Sequence, residues 1–131
     1  MKSRRELMAT VLLLTVLPTS LVAHHSIAAT YDSSKAMTIT GTVTELRWQN
    51  PHTWLSLDVK GADGKVNIWK IEMGGPARFA QNGLRKDSIS ISSAVTIQVW
   101  PARDGSLMAA GRLLTLPDGR QFDVHDRFGE I

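Results

Sequence analysis

Four histidines, His24, His25, His52 and His125, are the side chains whose type and spacing suggest chemistry in this sequence. The first two adjoin each other just behind an apolar run. The third follows a proline in Arg47-Trp48-Gln49-Asn50-Pro51-His52-Thr53-Trp54. If a leader is cut after Ala23, His24 becomes the N-terminus, and its free amine and ring nitrogen make a bidentate nitrogen chelate. His25, His52 or His125 would then complete a site. Nitrogen-only ligands in a tetragonal arrangement favour Cu(II) or Ni(II), so the expected metal ligands are His24, His25 and His52, with copper the candidate cofactor. A cut after Val22 would instead put histidine third from a free amine, again a square-planar set. Val22 is a poor residue before a cut, where small side chains are preferred. A cut after Ala28 would remove both arrangements. The competing reading is bland: a histidine pair on a polar arm is solvated, and a lone histidine beside a turn is a hydrogen-bonding residue.

The tryptophans are the second resource. Trp48, Trp54, Trp69 and Trp100 all fall on strand-like segments or at their ends. Core or rim packing accounts for most of them, since each ring buries up to about 250 Å². The corner around residue 51 nevertheless nominates Trp48, Asn50 and Trp54 as ligand-binding residues, for a small molecule or a protein partner.

Catalytic patterns are missing. No Gly-x-Ser-x-Gly, Walker or dinucleotide glycine pattern occurs, and no carboxylates pair at a spacing that identifies a general acid and base. The absence of cysteine excludes disulfides, thiolate catalysis and Cys-ligated metal sites. An enzymatic role therefore has no support in the sequence.

Charge narrows the partners. The chain has 15 Lys+Arg and 12 Asp+Glu, a net charge of +3. Residues 1–23 have the three parts of a secretory signal: a positive start (Lys2, Arg4, Arg5), an apolar run from Leu7 to Leu17, and a short end from Pro18 to Ala23. The apolar run is about eleven residues, against the roughly 20 needed to cross a bilayer, so the expectation is a cleaved leader, a periplasmic or secreted product and no membrane span after its removal. Setting aside Lys2, Arg4, Arg5 and Glu6 leaves 12 basic against 11 acidic residues. No basic stripe survives, which argues against a nucleic-acid partner.

The elements that must position these residues read as β. Residues 24–35 are polar and aperiodic, an expected extended arm with Tyr31 as its docking point. Residues 36–48 form a strand whose apolar set slips phase by one residue, which a β-bulge near Thr44 and Glu45 explains. Residues 53–60 alternate cleanly, Gly61-Ala62-Asp63-Gly64 makes a hairpin turn, and residues 65–73 are a third strand. Pro76 then opens one short helix, with Phe79 and Leu84 as plugs and Gly83 just past its end. Strands over 94–101 and 108–116 follow, Pro101 suggesting a sheet edge. Turns at Arg103-Asp104-Gly105 and Pro117-Asp118-Gly119 separate these from a short last strand over 121–124 and a frayed tail over 125–131. Three strands, a helix and two strands is the order of the OB-fold. The expected fold is thus mostly β: a small five-to-six-stranded OB-like antiparallel barrel over 36–124.

Several of these pieces together resemble one family. Ala23-His24-His25-Ser26 after a signal, Gly41-Thr42-Val43, Trp48-x-Asn50-Pro51-His52-x-Trp54, Gly74-Gly75-Pro76 and Leu116-Pro117-Asp118-Gly119, in that order, are similar to the small exported bacterial proteins of domain of unknown function 6152 (DUF6152). The resemblance implies a periplasmic or secreted single domain, OB-like, with no established activity. Its motif positions fall on His24, His25, Asn50, Pro51, His52, Gly75 and Pro76. One departure is Leu84, where an aromatic commonly follows Gly83 in the family.

Overall fold

The strands close on themselves. The computed structural model describes residues 26–126, in which β1 (Met37–Arg47), β2 (Thr53–Lys60) and β3 (Val66–Met73) form an antiparallel meander. α2 (Pro76–Asn82) follows, after the single-turn α1 (Ile27–Thr30) that precedes the barrel. Then come β4 (Ala94–Pro101), β5 (Met108–Thr115) and the short β6 (Gln121–Asp123). β4 returns to pair with β1, and β5 pairs with both β4 and β3, so β1-β2-β3-β5-β4 is a closed five-stranded barrel with β6 added outside β5. This is OB-like connectivity. The expectation of an all-antiparallel barrel needs one amendment: the closing pair β3–β5 is parallel, with Lys70, Ile71 and Glu72 opposite Met108, Ala109 and Ala110.

Alternation along the strands fills the interior. Leu55 and Leu57 of β2, Ile71 and Met73 of β3, Ile97 and Val99 of β4 and Leu114 of β5 are all fully buried in one cluster. The phase slip in β1 is a bulge: pairing with β2 skips from Val43 to Glu45, leaving Thr44 as the extra residue. Bulges bend and twist a strand, and here the bend lets one β1 serve β4 with its first half and β2 with its second. α2 plugs one end through Phe79, which is completely buried, and Leu84 just beyond the helix. Pro76 occupies the first turn and Gly83 ends the helix at φ 82°, the left-handed geometry that a glycine adopts without Cβ strain.

Three expectations are corrected. Pro101 does not mark an edge, because β4 lies between β1 and β5; β1 pairing ends at Met37 opposite Val99, so the missing N–H of Pro101 falls beyond it. The arm is not extended over its described part: Ile27–Thr30 and Ser33–Lys35 are short helical turns. Tyr31 between them docks as expected, with 1% of its surface exposed and an isolated bridge to Ala102. The tail is not frayed where it begins, since His125 is buried and the Asp126 side chain is 6% exposed.

Candidate functional site

The histidine beside the proline turn sits in a chain of polar groups drawn from four parts of the sequence. Glu72 stands opposite Trp54 in the β2–β3 ladder, while its neighbour Ile71 pairs with the core residue Leu55. Strand alternation therefore turns Glu72 to the outer face of the barrel. It is nevertheless only 2% exposed, because other segments cover it. The Tyr31 hydroxyl donates to its Oε2 at 2.5 Å, and His52 Nδ1 lies 2.7 Å from its Oε1. His52 Nε2 in turn meets Asp126 Oδ2 at 2.5 Å. A neutral imidazole donates through one nitrogen only, so contact with two carboxylate oxygens calls for a proton on each ring nitrogen or on a carboxylate. Burial, followed by the hydrogen bond to Glu72 and the charge of that carboxylate, raises the Tyr31 hydroxyl well above its ordinary pKa of 10.0. Tyr31 is thus a standing donor.

Local geometry holds His52 there. The Asn50–Pro51 bond is cis, and the loop it shapes lies directly on Gly75, where a Cβ would meet the Pro51 carbonyl oxygen at 2.6 Å and Asn50 Oδ1 at 3.1 Å. Only glycine permits that approach. On the other side Gly74 donates to the Val124 carbonyl, which leads the chain from β6 past the loop and brings Asp126 to the ring. A second His–Asp pair, His125 Nδ1 with Asp123 Oδ1 at 2.6 Å, lies beside it.

The corner tryptophans part company. Trp48 turns toward α2 and packs against Phe79, ring centroids 5.4 Å apart at 47°. It forms one wall of a cavity of about 430 Å³, lined also by Pro76, Ala80, Leu84, Arg85 and Lys86. Arg85 and Lys86 are exposed, and among the described residues no carboxylate lines the cavity and neither cation has an ion-pair partner. Trp54 projects to the outer face with Glu45, Arg47, Ser56 and Lys70, around a cleft of about 40 Å³, room for about three water molecules. Asn50 is exposed on the loop.

Of the residues nominated from sequence, His24 and His25 lie outside the described residues. His52 has both ring nitrogens facing carboxylates rather than open space. No group of three or more metal-capable side chains poised for an ion occurs among the described residues. Trp48 lines the cavity of about 430 Å³, and Trp54 does not share it. The sequence reading missed Glu72, Asp126, Arg85 and Lys86. For the first two no local signal exists, as Glu72 and Asp126 join Tyr31 and His52 across 41 and 74 residues. For the last two the signal was present: two adjacent cations directly after the Gly83-Leu84 helix stop.

A family model described as a family of unknown function, DUF6152, matches residues 12–111. No curated protein and no solved structure matches the chain. No helix among the described residues is long and apolar enough to cross a membrane.

Proposed function

This chain belongs to the DUF6152 family, and we propose that it is an exported binding module whose barrel takes a small organic carboxylate in the cavity beside Trp48. One observation carries this reading: an aromatic wall and two cations meet in about 430 Å³, and among the described residues neither cation has an ion-pair partner and no carboxylate lines the space. That volume lies within the roughly 300–1,000 Å³ of small-molecule sites, which combine apolar walls with a few placed polar groups. The tryptophan and Leu84 cover the apolar body of the ligand, and Arg85, whose planar fork matches a carboxylate, sets its orientation. Export rests on the signal-like residues 1–23.

Titrating phenylacetate against the purified protein, with tryptophan fluorescence and calorimetry as readouts, tests this. Saturable binding is expected, weakened about tenfold or more when Arg85 and Lys86 are both replaced by alanine, since a hydrogen bond to a charged group contributes about 1.5–3 kcal/mol. Equal binding of the neutral analogue phenylethanol, or no saturation, would contradict the carboxylate assignment.

A second reading, copper held by His24, His25 and His52, is favoured by one connection. Tyr31, on the segment that follows the histidine pair, shares Glu72 with His52. Copper binding at His52 would require the ring to exchange a carboxylate for the metal. The intact mass of the secreted protein, with and without copper, decides it. A new N-terminus at His24 or Ala23 and a copper adduct lost in His24→Ala/His25→Ala are expected; no adduct near neutral pH sinks the reading.

A further inference from the structure

The asparagines of this chain have three different neighbours. Asn50 precedes Pro51, Asn67 precedes the β-branched Ile68, and Asn82 precedes Gly83. An asparagine converts to an acid when the next backbone nitrogen attacks its side-chain amide carbon. Proline has no N–H to lose, and a stiff β-branched neighbour crowds the approach. Glycine presents neither obstacle, because it carries no side chain and its backbone turns freely. Asn82–Gly83 is thus the reactive pair of the sequence. The fold holds that reaction off. Asn82 is the last residue of α2 and is exposed, and Gly83 is its left-handed cap. Gly83 N–H donates to the Phe79 carbonyl, so the attacking nitrogen keeps its proton. The Asn82 side chain is engaged at both atoms: Nδ2 donates to the Asp123 carbonyl at 2.8 Å, and Oδ1 accepts from Leu84 N–H at 3.3 Å. A helical ψ of about −42° also turns the following nitrogen away from the side-chain carbon.

We propose that Asn82 is a deamidation site gated by the fold, converting when the last turn of α2 opens. The step balances with water alone. The Gly83 nitrogen bonds to the Asn82 side-chain carbon, the amide nitrogen leaves as ammonia with the Gly83 proton, and a five-membered imide forms. Water then opens the imide at either carbonyl, giving an aspartyl or an isoaspartyl link. Both products lack the N–H that met the Asp123 carbonyl, since a carboxylate only accepts. Both place a negative charge at the C-terminal end of α2, where uncovered carbonyls disfavour it. That charge stands one helical turn from Arg78, whose pairing with Asp123 Oδ2 at 3.0 Å is a second tie between α2 and β6. The isoaspartyl form also lengthens the backbone by one carbon beside Gly83 and Leu84, which line the cavity at Trp48. Conversion loosens α2 from β6, and refolding does not reverse it.

Peptide mass mapping of the protein incubated at mildly alkaline pH, folded and in urea, tests the inference. In urea the peptide holding Asn82 should gain the mass of amide-to-acid conversion. In the folded protein the gain should be about tenfold or more slower, following the open fraction of the last turn. Amide exchange at Gly83 and Leu84 measures that fraction independently, and both rates should rise together in low denaturant. Asn82→Gln, whose longer side chain does not close the five-membered imide, should stay unconverted in urea. Asn82→Asp should melt at a lower temperature than the unaltered protein. Equal conversion folded and in urea, no conversion in urea, conversion centred on Asn50 or Asn67, or an Asn82→Asp protein that melts with the unaltered one would each overturn the proposal.

Discussion

At the scale of single residues, the determining group is the Glu72 carboxylate. A charged side chain on the outer face of a strand is ordinary; here it is covered by Tyr31 and His52 and hydrogen-bonded by both. Breaking such a network from one side leaves a buried acceptor short of its donor, which costs about 1–3 kcal/mol. Tyr31→Phe should therefore lower unfolding stability by about that amount at neutral pH. The raised Tyr31 hydroxyl adds a pH signature. A group whose folded pKa lies above its unfolded one contributes stability that is complete below the unfolded pKa, about 10, and declines as pH rises beyond it. Denaturant melts should show wild-type stability falling by up to about 1.4 kcal/mol per pH unit above pH ~10 from this group. Tyr31→Phe should fall less steeply, and parallel slopes would dissociate the hydroxyl from the effect.

At the scale of elements, the site depends on how closely the proline loop lies on the start of α2. Gly75→Ala would drive a methyl group to 2.6 Å from a backbone oxygen that cannot rotate away, and overpacking of this kind typically costs about 1–3 kcal/mol. Thermal melts should register the loss, and the indole signal of Trp48, which flanks both elements, should shift with it; an unchanged melt would mean the loop moves freely. Elements were also where the sequence spoke most clearly. The one-residue slip in the apolar set of the first strand located the bulge at Thr44, and Pro76 with Gly83 bracketed the helix, because both signals are local. Parallel closure of β3 on β5 was not legible, since no local pattern reports which strands meet across 38 residues. Nor was the cover over Glu72, whose partners come from the arm and the tail. Polar composition made that tail read as frayed, although Asp126 is engaged with His52.

At the scale of the whole molecule, the barrel is bracketed by its own ends. The segment before β1 docks through Tyr31 on the outer face and the segment after β6 returns to His52, so both meet at the corner between β1 and β2. This polar junction ties down one side of the corner through hydrogen bonds. The other side, where Trp48 meets α2, is left to form the cavity. On the proposed reading, the two faces of one loop are divided between structure and binding. That division is tested most directly by amide and indole N–H NMR spectra of the protein titrated with phenylacetate. Saturable shifts confined to Trp48, Ala80, Leu84, Arg85 and Lys86 are expected, with the Trp54 indole unmoved. Shifts centred on Trp54 or on the His52 loop, or none that saturate, would contradict it.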